Sequence, residues 1–265
     1  ADGARIGAFL QRLAQARRVE AKTDRPVMYP RIGVEAVSDP NAGGTELRIS
    51  GKDVSERLLV GKPHKPSGGR YVRLVGQARS WQCDTDVSMD TDPVSWLEHR
   101  LVTIPLARVQ RVRIRPRGAA SFSLTSRDDS FRPDDAPSAA MHDSHAGDDI
   151  ASVLVTFDID DVAKDDGPAQ VSQSLDYELV DGSVLTVSVW REGQRDWARV
   201  AASFDEAQGA SWERLAGKPG VQAKAQAQAA EWTRRFAGRK FLLPPALAHT
   251  LTLDHSQILE GAKAP

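Results

Sequence analysis

Apolar and polar positions in this chain alternate with two different periods. Ile6, Phe9, Leu10 and Leu13 stand at offsets 0, 3, 4 and 7, one face of a 3.6-residue repeat, and predict an opening helix. Asp2 is its expected N-cap, and the helix is expected to fade near Arg18 and Val19. A connector follows, broken by Pro26, Pro30, Gly33 and Pro40. A period of two then takes over. Strands are predicted at Leu47/Ile49, Leu58–Val60, Tyr71–Leu74 and Ser80–Cys83, with a turn-rich loop over 62–69 and a turn at Gly76. Asp92-Pro93 opens a short helix expected to run through Leu97 and Leu101, and Pro105 ends it. Val109–Arg115 is a strand with Val112 and Ile114 on one face and Arg111, Arg113 and Arg115 on the other. Phe122 and Leu124 alternate on the next strand, and residues 127–147 read as an Asp/Pro/Ser-rich loop.

Ile150, Val153, Leu154 and Phe157 repeat the helical spacing, although valine weakens helix propensity. Strands follow at Leu175–Val180, Val184–Trp190 and Trp197–Ala201, the first two joined by an Asp181-Gly182 hairpin turn. Helix, connector, hairpin and third strand thus occur twice. Ile6 aligns with Ile150, Val19 with Val162, Leu47/Ile49 with Tyr177/Leu179, and the Tyr71 strand with the Trp197 strand. After residue 205, Trp212 and Leu215 suggest a helix broken by Gly217 and Gly220. An Ala/Gln-rich helix over 221–236 and an extended piece at Phe241–Pro245 complete the tail.

The fold expected is α+β: antiparallel sheets with packed helices in two similar, repeated subdomains. Residues 1–107 form the first, 108–205 the second, and 206–265 a helical tail on the second. The second helix follows the strand pair 109–126, whereas nothing precedes the first. The chain opens on Ala1 with no leader-like segment. A strand pair upstream of residue 1, in a longer protein, is therefore expected.

Composition narrows the function classes. One cysteine, Cys83, leaves no intramolecular disulfide and no multi-cysteine metal site. No stretch approaches the ~18 apolar residues of a membrane span. The net charge of −1 gives no global pull toward nucleic acid. Charge is uneven, however: +8 over residues 1–117, −9 over 118–167 and zero beyond. The acidic stretch reads either as a cation or docking patch or as solvated loops paired with the basic first half.

The chain carries few motifs that point to a chemistry. Gly61-Lys62 is followed by Pro63 and lacks the phosphate-loop spacing; dinucleotide and nucleophile-elbow motifs are missing from the sequence. His142 and His145, beside Asp143 and Asp148, form a metal-like cluster, but in a stretch that would not pre-orient ligands; a surface loop is the competing reading. Asp158, Asp160 and Asp161 lack the glycine and closing glutamate of a calcium loop and read as a helix end and turn. No catalytic, cofactor-binding or metal residue is assigned, and no cofactor is expected. The candidate interaction surface is Arg111, Arg113 and Arg115 with Trp190 and Trp197. The arginines either grip phosphate or a partner carboxylate, or face cross-strand acids. The two tryptophans flank one hairpin and either pack in the core or line a groove.

Several segments in order carry a resemblance: Ile6-Gly-Ala-Phe-Leu-Gln-Arg-Leu-Ala with Arg18-Val-Glu, then Leu59-Val-Gly-Lys62 and Gly69-Arg-Tyr-Val-Arg73. Asp92-Pro-Val-Ser-Trp-Leu97, Leu101-Val-Thr-Ile-Pro105 and Val109-Gln-Arg-Val-Arg-Ile114 follow. This order resembles the bacterial domain of unknown function numbered 4340, over roughly residues 1–165. The 127–147 insert and the tail after 205 depart from it. The resemblance implies a membrane-tethered protein with a large domain on the extracytoplasmic, periplasmic side of the cell envelope. It also implies an association with gliding-motility-type ABC transporters, and it supplies no catalytic residues. The expected role is a non-catalytic auxiliary or scaffold component of an ABC-type transporter complex, without nucleic-acid partners. A small-ligand or glycan-binding envelope module is the alternative. An enzyme would require His142, His145 and carboxylates to converge in a cleft.

Overall fold

The computed structural model describes residues 1–66, 68–128 and 130–259. Ser67 of the 62–69 loop, Asp129 of the acidic stretch and residues 260–265 of the expected tail lie outside the described residues. The chain separates into two compact units, Ala1–Glu98 and the remainder from His99.

In the first unit, α1 (Gly3–Gln15) starts where the Asp2 carboxylate accepts the Arg5 amide at 2.9 Å, the N-cap its sequence predicts. Of its apolar face, Phe9 is buried while Leu10 stays 48% exposed. The chain leaves the helix at Ala16 to form β1 (Arg18–Ala21), an edge strand that the sequence reading places in a connector. All four β1 residues are exposed, so no alternation marked it. After α2 (Tyr29–Ile32) come β2 (Thr45–Ser50), β3 (Ser55–His64), β4 (Gly69–Leu74) and β5 (Trp81–Cys83). They pair antiparallel in the order β1-β5-β4-β3-β2. One sheet face, with Leu47, Val60, Val72 and Cys83, packs on Phe9 and Val87. On the other, Tyr29 donates to the Ala78 carbonyl at 2.6 Å. Gly61 is required here, because a Cβ would lie 2.2 Å from the Ile32 carbonyl oxygen. The Asp92 turn is a single 3-10 turn over Pro93–Trp96, with Asp92 accepting the Val94 amide at 3.0 Å.

In the second unit, Leu101 is in β6 (Arg100–Val102), not in the helix expected from Asp92. β6 pairs with β10 (Phe157–Asp158), which groups residues 99–107 with this unit. The larger sheet is built from β7 (Val109–Pro116), β8 (Phe122–Arg127), β9 (Ser130–Pro133), β11 (Asp161–Lys164) and β12 (Gln173–Leu179), with β13 (Ser183–Glu192), β14 (Arg195–Phe204) and β15 (Arg239–Leu242). Its order is β11-β15-β14-β13-β12-β7-β8-β9, antiparallel throughout. The expected 127–147 loop therefore contains a strand, anchored by Asp148, which accepts the Phe131 amide at 2.7 Å.

The helix predicted from Ile150 is shorter than its spacing suggests. α3 (Ala146–Ser152) gives way to a 3-10 turn over Val153–Thr156, and Phe157 enters β10. The β-branched run Val153, Val155, Thr156 disfavours another α-turn. α4 (Glu206–Ala216) and α5 (Val221–Phe236) follow β14 as predicted, then α6 (Pro245–Leu251) and α7 (His255–Ile258) follow β15.

The apolar face of this sheet carries Val112, Ile114, Leu124, Leu175, Leu185 and Val187, each fully buried. Each such side chain contributes roughly 1.5–3 kcal/mol by leaving water. α3 lies on this face, where Tyr177 donates to the Ile150 carbonyl at 3.0 Å. α5 does too, through Thr233 to the Ala202 carbonyl at 2.8 Å and Phe236 against Phe241. α6 is fastened there by Gln173, whose side-chain amide donates to the Leu251 and Leu253 carbonyls.

The two sheets share a plan. β1-β5-β4-β3-β2 in the first unit and β11-β15-β14-β13-β12 in the second each follow a helix, place the first strand beside the last, and run the remaining strands as a meander. The second sheet differs by α4 and α5 before its last strand and by β7, β8 and β9 beyond β12.

Candidate functional site

Strand pleating places all five residues of the sequence-derived surface on the outer face of the larger sheet, opposite α3, α5 and α6, with the first turn of α4 bordering it at Gln208. Arg111, Arg113 and Arg115 pair across the ladder with Glu178, Asp176 and Ser174. Trp190 and Trp197 face each other across β13 and β14.

The arginines meet cross-strand acids. Arg115 holds Asp176 through both terminal guanidinium nitrogens, the Nη2 bond measuring 2.9 Å. Thr186 donates to the same carboxylate at 2.8 Å. Burial pushes the Asp176 carboxyl up, but its bonds from Arg115 and Thr186 outweigh this and hold it below the ordinary carboxylate range. Arg113 lies 3.0 Å from Glu178, and Arg111 lies between Glu178 at 4.0 Å and Asp134 at 3.6 Å. The three guanidiniums keep 41–47% of their side-chain surface in solvent. They form a row of half-exposed guanidiniums with acidic neighbours, tightly held at Arg115 and more loosely at Arg111.

Trp190 and Trp197 are 2% and 6% exposed and line no open groove. Arg199 lies over the Trp190 ring at 5.5 Å and Lys240 over the Trp197 ring at 4.8 Å. Asp165 grips Arg199 through two bonds of 2.6 and 2.9 Å, and Glu192 accepts from both Lys240 and the Trp190 indole at 2.7 Å. The Lys240 and Trp190 hydrogen bonds hold the Glu192 carboxyl below its ordinary range. Cations pinned by acids thus cap the indoles.

The metal-like cluster does not converge. His142 and His145 are exposed, His145 lies 3.5 Å from Asp143, and Asp148 is turned toward β9. Asp158 pairs with Arg100, and the Asp161 side chain accepts the Val162 amide.

Two further features escaped the sequence reading. One is a cavity of about 310 Å³ where His255 lies 3.1 Å from Asp135 and edge-on to Phe122. The other, in the first unit, is an apolar cavity of about 260 Å³ between the end of α1 and the sheet. Leu13 and Ala16 wall it, Leu58, Val72, Trp81 and Cys83 floor it, and Arg17, Arg18 and Arg73 also line it. A sequence signal did exist: Leu13 and Ala16 continue the apolar stripe of α1 into two arginines. That a gap opens beneath them depends on strands up to 70 residues away along the chain.

Among the described residues, no helix is long and apolar enough to cross a membrane. No curated protein and no solved structure matches this chain. The family model Domain of unknown function (DUF4340) matches residues 1–179, from α1 through β12. With more than half of its length matched, the chain belongs to the DUF4340 family.

Proposed function

We propose that this chain is a non-catalytic extracytoplasmic domain of a membrane-tethered protein. It serves as an auxiliary or scaffold component of an ABC-type transporter complex and docks through the outer face of its larger sheet. The observation that carries this reading is the arginine row of β7. Asp176 and Glu178 on β12 and Asp134 after β9 pair with it on a sheet face opposite α3, α5 and α6, with 41–47% of each side chain still in solvent. Pre-ordered, half-exposed guanidiniums suit bidentate capture of a partner's carboxylates at little further entropic cost. A ligand-binding module built on Trp190 and Trp197 would have to displace their capping cations first.

The test is purification of the full-length protein from its native membranes. Permease and ATPase recovered in stoichiometric yield support the proposal, and a clean protein without partners refutes it. Arg113→Gln, which removes the charge without setting a carboxylate opposite Asp176, is expected to cut partner yield while moving the melting temperature by no more than a few degrees, because exposed ion pairs contribute only ~0–1 kcal/mol.

We infer also that the two units descend from one duplicated unit, supported by the shared strand plan. An experimental structure in which the matched strands fail to superpose would overturn this.

A further inference from the structure

We propose that the apolar cavity of the first unit binds a small anionic amphiphile, a carboxylate or sulfate on a single short apolar chain. This goes beyond the docking role, because it concerns the other unit and none of the outer-face residues. The cavity lies beneath the C-terminal end of α1, with Leu58, Val72, Trp81 and Cys83 as its floor. Its volume of about 260 Å³ stands at the small end of the ~300–1,000 Å³ usual for small-molecule sites, which suits one short chain and excludes a two-chain lipid.

The charge at its margin is of one sign. Arg18 stands over the Trp81 ring, part of the cavity floor, with its guanidinium carbon 5.2 Å from the ring centre. Arg17 also lines the cavity, and its guanidinium forms no ion pair within 4 Å among the described residues. Arg73 belongs to a different arrangement, lying 4.3 Å over Tyr29 and donating to the Val34 and Gln77 carbonyls. Asp84, which accepts the Arg17 amide at 2.9 Å and attracts its guanidinium from beyond ion-pair distance, does not itself line the cavity. An apolar pocket with two exposed arginines at its edge fits an apolar body with an anionic head. A neutral apolar molecule would leave the arginines without a role, and a bare anion would leave the pocket empty.

The test is calorimetric titration of the full chain with decanoate below its critical micelle concentration. One saturable site per chain is expected, with decanol at least about tenfold weaker, as loss of a charge-assisted contact implies. Arg17→Ala with Arg18→Ala is expected to weaken decanoate at least about tenfold while lowering the melting temperature by no more than a few degrees, since both residues are exposed and the Arg18–Trp81 contact is worth only ~0.5–1 kcal/mol. Ala16→Trp, which fills the cavity from the end of α1, is expected to abolish binding. No saturable binding, equal affinity for decanol, or unchanged affinity in the double-arginine variant would each overturn the proposal.

Discussion

Replacing Tyr177 with Phe removes one oxygen from the centre of the second unit and makes a quantitative test of how the core is held. Tyr177 is fully buried, and its hydroxyl donates to the Ile150 carbonyl at 3.0 Å. The substitution keeps the ring, so no large cavity forms. The same carbonyl also accepts the Val153 amide where α3 ends, so it keeps one partner. The loss is therefore that of one hydrogen bond, about 1 kcal/mol, and not the larger cost of an orphaned buried carbonyl. Chemical denaturation at pH 8 should show this decrease with an unchanged denaturant slope.

Alkali sharpens the test. Burial raises the Tyr177 phenol well above its ordinary range. Its folded pKa lies above the unfolded value of ~10, so the contribution is complete below pH ~10 and declines above it, as the unfolded chain ionises first. The decline is about 1.4 kcal/mol per pH unit for this one proton, so the wild-type advantage of about 1 kcal/mol should vanish near pH ~11 and reverse beyond. A loss above about 3 kcal/mol at pH 8, or a difference independent of pH between 9 and 11.5 (a range centred on the ordinary tyrosine pKa of ~10), would refute the reasoning.

Asp176→Ala strands Arg115 and removes the acceptor of Thr186; a loss of roughly 1–3 kcal/mol is expected in urea unfolding at pH 7, tempered by the half-exposed arginine. Because the folded Asp176 pKa is depressed, this difference should persist above pH ~4 and shrink as pH falls below that unfolded value. Gly61→Ala, whose methyl would meet the Ile32 carbonyl, should unfold or grossly destabilise the first unit, whereas Gly51→Ala, with open space around it, should leave the melting temperature within about 2 °C. In an NMR titration the Glu46 carboxyl should have its midpoint at about 2, held down first by Arg57 and then by Arg48; Arg57→Gln should return it toward ~4.3.

Local pattern determined a large part of this molecule. The period-two runs at Leu47, Tyr71, Val109, Leu175, Val184 and Trp197 all became strands, because alternation commits one face to the core whatever lies opposite. Asp2, Asp92 and Gly182 act where they stand, since caps and tight turns depend on neighbours only a few residues away. The family membership was also legible along the chain, in short segments whose order carries it.

Tertiary structure alone decided the rest. β1, β6, β9 and β11 are strands of three or four residues, recruited by distant partners and too short to show a period. Trp190 and Trp197 have the composition of a binding surface, yet cations carried by Arg199 and Lys240 seal them. The arginine row acquired its acids only when β12 came to lie beside β7, some sixty residues later in the sequence. The cavity under α1 exists where Leu13 and Ala16 meet side chains from strands up to seventy residues away, a juxtaposition that no local pattern encodes.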